Sequence, residues 1–205
     1  MGSGRRILAI GAHPDDIELG CGGTLRKDVL KGDEVYYVIA SLGEKSGDRD
    51  RRKAETKAAA KLMGVCDVHF LNLPDTMIMY DGVTVSLLDE YMKKIKPDII
   101  YVHSFKDYHQ DHANIAKSAL SASRNMRNAI LLYETPSTTI EFRPVAYNDI
   151  SDIFEHKLKC VEQYVSQNDK EYMEKEAIIG LAKVRGRTMN VEFAEAFEVA
   201  RLFKW

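Results

Sequence analysis

Short apolar runs separated by amphipathic or polar stretches recur along the chain. The runs are rich in β-branched residues and too short for helices, which indicates buried strands. Apolar residues at helical spacing lie between them and indicate helices. This alternation predicts an α/β protein with a parallel sheet. Strands are predicted over residues 7–10, 35–40, 68–71, 98–103 and 129–133, with a shorter strand over 144–148.

Helical periodicity and capping residues place the intervening helices. Gly32 and Gly64 follow two of them as C-terminal caps, and Pro97 ends a third. Residues 192–202 are ambiguous, because their aromatic and β-branched residues fit a strand and their alanines fit a helix. Helices are predicted over residues 22–31, 51–63, 85–95, 111–124, 171–184, and from Asp149 or Ser151 to about Tyr164.

Length, charge and cysteine usage narrow the class of protein. The chain has 205 residues, and we expect one domain over residues 1–205. Its 29 basic and 31 acidic residues give a net charge of −2 without blocks of like charge, which argues against nucleic-acid binding. No run approaches the length of about 20 apolar residues that a membrane span needs, and no signal peptide is expected. Three widely spaced cysteines favour reduced thiols and a cytoplasmic location.

A polar cluster, His13-Pro14-Asp15-Asp16, directly follows the first predicted strand. Ligands of α/β sheets bind outside the carboxyl ends of the strands, where this cluster lies. Pro14 stiffens the turn that carries the imidazole and the two carboxylates. A lone histidine after a strand is usually structural, but two adjacent carboxylates would repel each other if buried without a cation. The cluster therefore indicates a divalent metal ion and a general base.

A second cluster, His109-Gln110-Asp111-His112, follows the fourth strand. In isolation it could be a polar loop with Asp111 capping the next helix. Parallel strands end at the same edge of a sheet, however, so both clusters are expected to meet there. Together they offer two histidines and an aspartate with a coordination position left for water, which is typical of catalytic zinc. Such a metal would acidify its water and polarise a carbonyl group.

The remaining polar groups suggest roles around such a metal. Asp15 could act as the general base, and His109 could protonate a leaving amine or stabilise an oxyanion. Asp111 could orient His109 or a ligand. Arg52 could pair with a substrate hydroxyl or an acidic group, or could be a solvated helix charge beside Arg51.

Residues 12–24 (AHPDDIELGCGGT) resemble the signature of the LmbE-like (PIG-L) zinc-dependent N-deacetylases. His109-Gln110-Asp111-His112 resembles that family's second motif. Arg52 and the alanine-rich helix after it are similar to the segment whose arginine lies near the sugar site. Later landmarks match in order at residues 149–151, 166–167, 185–186 and 194–197, so the likeness covers nearly the whole chain.

The resemblance implies a Rossmann-like three-layer αβα sandwich with a mostly parallel central sheet. It implies hydrolysis of the N-acetyl group of an amino sugar, such as N-acetylglucosamine or a conjugate of it. A water on the metal would be the nucleophile. Asp15 would be the general base, His109 an acid or electrostatic stabiliser, and Asp111 its partner or a group that supports a ligand. The implied metal ligands are His13, Asp16 and His112.

The family resemblance also suggests the cofactor and the assembly. Zn²⁺ is expected, although these ligand types also suit Fe²⁺ or Co²⁺. A homo-oligomer, a trimer or a hexamer, is expected because family members often form them. One position departs from the family, since Phe193 stands where many members carry a tyrosine. If that hydroxyl binds the oxyanion in other members, His109 and the metal must do so here.

Three other functions fit parts of the sequence. One is an amidase that cleaves a larger acyl group from a thiol–sugar conjugate. Another is a nucleotide-binding module using residues 20–23, but their spacing is not GxGxxG and the nearby carboxylates would repel phosphate. The third is a structural metal site, for which Cys21 or His103 would have to supply a fourth ligand.

Overall fold

A central seven-stranded sheet organises the computed structural model, which describes residues 4–202. Its strand order is β3-β2-β1-β4-β5-β7-β6, where β1 is Arg6–Gly11, β2 Glu34–Ser41, β3 Asp67–Leu73, β4 Ile99–His103, β5 Ala129–Tyr133, β6 Ala146–Asp149 and β7 Ala194–Arg201. The strands β1 to β5 pair in parallel, and β7 runs antiparallel to β5 and β6. The predicted α/β class with a mostly parallel sheet is confirmed.

Helices cover both faces of the sheet, which makes a three-layer sandwich. Side chains of β1 alternate between the layers, so Leu8 and Ile10 face one helical layer while Ile7 and Ala9 face the other. Because both faces are buried, the strand is apolar throughout, as the sequence pattern indicated. The helices are α1 Asp16–Leu30, α2 Arg49–Met63, α3 Gly82–Ile95, α4 Gln110–Ala122, α5 Phe154–Val161 and α6 Lys175–Thr188.

The two layers differ in the helices that they contain. The first apolar cluster packs α3 and α4 against the sheet, and the second packs α1, α2 and Cys160 of α5 against the opposite face. A third cluster, outside the second layer, joins α5 and α6 through Phe154, Leu158 and Ile178.

The first helix begins earlier than the sequence indicated. It starts at Asp16 instead of residue 22, and Cys21 interrupts it with non-helical angles (φ −143°, ψ 16°). The backbone N–H groups of Gly23 and Thr24 donate to the carboxylate of Glu195 on β7, at 2.9 and 2.7 Å. Glu195 thus caps the second half of α1, which is the part that the sequence predicted.

The C-terminal third contains the other corrections. Residues 194–201 form a strand, because β7 pairs on both sides, and this pairing outweighs the helical preference of its alanines and glutamates. The helix predicted from Asp149 or Ser151 begins at Phe154, since the hydroxyl and N–H of Ser151 both bond the Asp149 carboxylate in a turn. The helix predicted from residue 171 begins with a separate 3₁₀ turn, Glu171–Met173, before α6.

The strand order places a crevice at the carboxyl edge of β1 and β4. These two strands are neighbours, although they are the first and the fourth in the chain. The chain winds outward from them in both directions, and ligands bind at such switch points in α/β sheets. Among residues 4–202, no helix combines the length and the apolarity needed to cross a membrane.

Candidate active site

A cavity of about 470 Å³ opens at the carboxyl edge of the sheet. The two predicted clusters meet in it, although nearly a hundred residues separate them in the sequence. All the predicted site residues except Asp111 line this cavity, and they lie among residues from later loops. Its lining includes His13, Asp15, Asp16, Arg52, Asp75, His109, His112, Thr135, Ser137 and Tyr172.

The turn after β1 is held in an unusual conformation. Asp15 adopts a left-handed backbone conformation (φ 91°), which few residues other than glycine, asparagine and aspartate tolerate. The N–H of His13 donates to Asp16 Oδ2 at 2.7 Å and closes the turn. This geometry presents the Asp15 and Asp16 carboxylates separately, so they can serve different purposes.

His13, Asp16 and His112, the predicted metal ligands, converge in the cavity. Asp16 lies between the two imidazoles, with Oδ2 at 3.5 Å from His13 Nδ1 and Oδ1 at 3.4 Å from His112 Nε2. Two donors on one tetrahedral zinc ion with bonds of about 2.1 Å lie roughly 3.4 Å apart. The spacing of the carboxylate to each imidazole therefore suits a shared ion.

In each imidazole, the ring nitrogen that does not face Asp16 lies beside another carboxylate. His13 Nε2 lies 3.2 Å from Asp111 Oδ2 and 3.2 Å from Asp75 Oδ1. His112 Nδ1 lies 3.2 Å from Asp107 Oδ2. Histidine ligands of metals usually donate their second N–H group to a carboxylate, which fixes the ring and the tautomer. This pattern leaves the other nitrogen of each ring free for a cation.

Negative charge accumulates around the cluster. Burial would lower the pKa of His13, but hydrogen bonds to Asp111, Asp16 and Asp75 outweigh it and raise the pKa well above the ordinary value. Several buried carboxylates close together are costly unless positive charge balances them. The donor set and this charge excess fit a divalent cation.

Asp15 is held by Arg52, a residue of α2. The Arg52 guanidinium donates to Asp15 Oδ2 at 3.1 Å, to the Pro14 carbonyl at 2.9 Å and to the Gly43 carbonyl at 3.0 Å. Arg52 is only 2% exposed, and its contacts are those of a positioning residue for Asp15. Burial and the Asp16 charge raise the pKa of Asp15 to about 7, against the opposing effect of Arg52. A carboxylate with such a pKa suits proton transfer near neutrality.

His109 forms the N-terminal cap of α4 and borders the cavity. The Asp111 N–H donates to His109 Nδ1 at 3.2 Å, so the neutral ring carries its proton on Nε2. Burial and the neighbouring His112 and His13 lower the pKa of His109. The ring packs 4.8 Å from His13 and 4.5 Å from His112, centroid to centroid, beside the predicted metal position.

The Asp111 carboxylate contacts the imidazole of His13. In addition to His13, its carboxylate accepts the N–H groups of Thr76 at 2.8 Å and Ile78 at 3.1 Å. It is fully buried and ties the loop after β3 to the first histidine. Of the two roles expected for Asp111, this contact favours the support of a ligand.

Three further groupings that contain a histidine are close enough to bind a cation, with the donor atoms of each set within 4.8 Å of one another. They are His13 with His109 and His112, His103 with Asp16 and His112, and His13 with Asp75 and Asp111. His103 is fully buried at the end of β4, where its Nε2 lies 3.2 Å from the Ala12 N–H and 3.1 Å from Asp16 Oδ2. It stacks on His112 at 3.9 Å and fits a supporting role for the cluster.

Sequence reasoning missed several residues that shape this site. Asp75 and Asp107 follow β3 and β4, so the rule that located the two clusters could have identified them. Thr135 and Ser137 follow β5, and their hydroxyls lie 3.4 and 3.2 Å from His112 Nδ1. Tyr172 reaches the cavity from the 3₁₀ turn before α6. Phe193 does not line the cavity and instead stacks on Phe154 at 3.9 Å.

Comparison with known proteins agrees with the fold and shows the family. Residues 8–123 match the family model of PIG-L, GlcNAc-PI de-N-acetylase. The chain is 34% identical over 169 residues to the uncharacterised deacetylase YaiS of Escherichia coli (strain K12), covering 78% of this chain and 90% of that protein. The chain therefore belongs to the PIG-L (LmbE-like) deacetylase family.

Two proteins described as chitobiose deacetylases are also similar. Diacetylchitobiose deacetylase of Thermococcus kodakarensis is 27% identical over 187 residues, covering 80% of this chain and 70% of that protein. The structure of N,N'-diacetylchitobiose deacetylase from Pyrococcus horikoshii, complexed with its inhibitor MPG, superposes with a TM-score of 0.86 at 26% identity. That superposition covers 95% of this chain and 83% of the other.

Proposed function

We propose that this protein is a metal-dependent N-deacetylase of N-acetylated amino sugars, acting on N-acetylglucosamine or a conjugate of it. The observation that carries the proposal is the placement of Asp15, held by Arg52, beside the His13, Asp16 and His112 cluster. Family membership and the similarity to chitobiose deacetylases support the choice of substrate class.

His13, Asp16 and His112 would hold the divalent ion, and Zn²⁺ is the ion that we favour. When bound, the ion would acidify a water molecule and polarise the acetyl carbonyl. Asp75, Asp107 and Asp111 would fix the two imidazoles, as the distances above indicate. Fe²⁺ and Co²⁺ accept the same ligands, so the native metal is to be identified by metal analysis of the purified protein.

Two side chains beside the ion would carry out different parts of the acid–base chemistry. Asp15 would accept a proton from the attacking water, since Arg52 holds its carboxylate beside the cluster. His109 would donate its Nε2–H to the oxygen that becomes negatively charged. The new C–O bond replaces the C–N bond, the proton that Asp15 accepted passes to the nitrogen, and acetate and the free amine leave.

The test is acetate release from a panel of N-acetyl sugars, with and without a chelator. We expect turnover of N-acetylglucosamine compounds, loss of it after chelation, and recovery when Zn²⁺ is added back. Persistence of full activity in the metal-free protein would contradict the metal requirement. Cleavage restricted to a thiol–sugar conjugate would instead favour the amidase alternative.

Two expectations about the cellular context accompany this proposal. An exposed apolar strip near the site, formed by Met77, Met79, Tyr80 and Val83, is 52–65% exposed and suits contact between subunits of a homo-oligomer, a trimer or hexamer. Light scattering on a sizing column measures the number of subunits in the assembly.

The cysteines bear on the cellular location. Cys21 and Cys160 are buried free thiols, in keeping with the cytoplasmic location expected from the sequence.

A further inference from the structure

A second cavity, of about 230 Å³, adjoins the candidate active site. Leu19, Pro136 and Tyr172 line both cavities, so they form the boundary between them. Leu19 lies on α1 one turn beyond the Asp15–Asp16 pair. The two cavities therefore lie side by side, with these three side chains between them.

The walls of the second cavity are mostly apolar. They are formed by Ile178, Leu181 and Ala182 of α6 with Ala194 and Ala196 of β7. A polar group placed against them would lose its hydrogen bonds to water without replacement. Burying an aliphatic group there would instead be favourable, because its apolar surface is removed from water.

Both cations that line the second cavity already have carboxylate partners. Arg185 binds Glu134 with two hydrogen bonds, at 2.6 and 2.7 Å, and Lys157 donates to Glu195 at 2.6 Å. These neutralised pairs do not favour an anionic ligand. The chemistry of the cavity therefore matches an uncharged aliphatic group.

The lining of the active-site cavity includes more polar groups. Lys45, Ser46, Thr76, Ser137 and Glu171 line it, and their side chains and backbone suit the hydroxyl groups of a sugar. The carbonyl carbon of an N-acyl sugar carries the sugar nitrogen on one side and the acyl chain on the other. The two parts must therefore leave the reacting centre in different directions, one into each environment.

We propose that the second cavity is an acyl pocket, and that the protein hydrolyses N-acyl amino sugars whose acyl chain is longer than acetyl. This inference rests on the proposed function. Water adds across the amide, so the carbonyl carbon gains oxygen, the C–N bond breaks, and the nitrogen takes the proton. The products are the fatty carboxylate and the free amino sugar.

The test compares N-acetyl-, N-butyryl- and N-hexanoylglucosamine by release of the free amine. Ala177 lines the acyl pocket and is exposed, so Ala177→Phe fills the mouth of the pocket from a position with few packing constraints. We expect wild type to cleave the hexanoyl compound at least as well as the acetyl compound. Ala177→Phe should lower kcat/KM for the hexanoyl compound by about tenfold or more, with less than twofold change for the acetyl compound.

Val184→Phe is the matched control, because Val184 lies on the same helix, is 63% exposed and does not line the pocket. It should leave the acyl-length profile unchanged. Leu181→Ala is a second variant, which enlarges the pocket and should shift the preference toward longer chains. Circular dichroism checks that each variant is folded.

The outcomes separate this inference from the proposed function. If no N-acyl compound is cleaved, the proposed function fails and the acyl pocket fails with it. If wild type cleaves the acetyl compound but not the hexanoyl compound, or Ala177→Phe affects both equally, the acyl pocket alone is overturned. It is also overturned if Ala177→Phe impairs only cleavage of the octyl glycoside of N-acetylglucosamine, because the pocket would then hold the aglycone.

Discussion

Arg52 and Asp15 form a salt bridge of 3.1 Å in which the side chains are only 3% and 5% exposed. Arg52 lies on α2, and Asp15 lies on the strained turn before α1. The bridge therefore joins two helices across the base of the candidate active site. Gly43 makes room for it, because a side chain at position 43 would collide with the guanidinium and its φ is +67°.

Replacing Asp15 tests the assignment of the general base. Asp15→Asn keeps the shape of the side chain but removes the proton acceptor, so we expect kcat to fall by about a hundredfold or more. Bound metal, measured by atomic absorption, should be unchanged. His13→Ala provides the contrast, since it should lose both metal and activity. Full turnover by the Asp15 variant would refute its role as base.

Replacing Arg52 tests its role as a positioning residue. Arg52→Met removes the donors that hold Asp15, and we expect kcat to fall by about tenfold while KM changes little. Arg51→Met is the matched control, because Arg51 is the exposed neighbour on the same helix. An increase in KM at unchanged kcat would instead support the original expectation that Arg52 binds substrate.

Replacing Asp107 tests the support of the second histidine. Asp107→Asn weakens the contact to His112 Nδ1, and we expect metal affinity to fall by about 10- to 100-fold. Competition with a chromogenic chelator measures this affinity. Asp169→Asn, at an exposed position, should have no effect. An unchanged affinity in the Asp107 variant would mean that His112 does not depend on this carboxylate for metal binding.

The cap of the interrupted helix predicts a large effect on stability. Glu195→Ala removes the acceptor of the Gly23 and Thr24 N–H groups and leaves the buried Lys157 without its carboxylate partner, so the free energy of unfolding should fall by about 3 to 5 kcal/mol. Urea denaturation measures it. Adding Lys157→Met to Glu195→Ala should recover part of the loss. Glu192→Ala, at an exposed position, should cost little.

Glu198, which does not line the active-site cavity, predicts a pH dependence of stability. Burial would raise its pKa, but hydrogen bonds from Lys106, Arg143 and Ser104 outweigh this and hold the pKa below its ordinary value of 4.5. A carboxylate with a depressed pKa stabilises the fold above its unfolded pKa and ceases to do so as the pH falls through the folded pKa. The difference in unfolding free energy between wild type and Glu198→Gln should therefore shrink below about pH 4.5. A difference that stays constant from pH 6 to pH 3 would contradict this assignment.

Much of the candidate site could be predicted from local patterns. The apolar runs ending at residues 10 and 103 are each followed by polar groups, and parallel strands end at one edge of a sheet. His13, Asp15, Asp16, His109 and His112 were all predicted in this way, and the structure brings them into one cavity. Their chemical roles remain predictions until the variants above are measured.

Other features depend on contacts between distant residues. The support of His13 by Asp75 requires β3 and β1 to lie in one sheet, and the cap on α1 requires β7 to lie beneath it. Residues 194–201 have a composition compatible with either helix or strand, so their pairing with β5 and β6 decides the outcome.

The sequence by itself determined the class of fold, the two polar clusters and the chemistry that they offer, because these follow from side-chain type and from periodicity within a few residues. The tertiary structure alone decided which strands are neighbours, which carboxylate supports which imidazole, and that Arg52 binds Asp15. Strand order and side-chain contacts arise from packing between residues far apart in the chain. The pattern of residues within a short segment does not determine that packing.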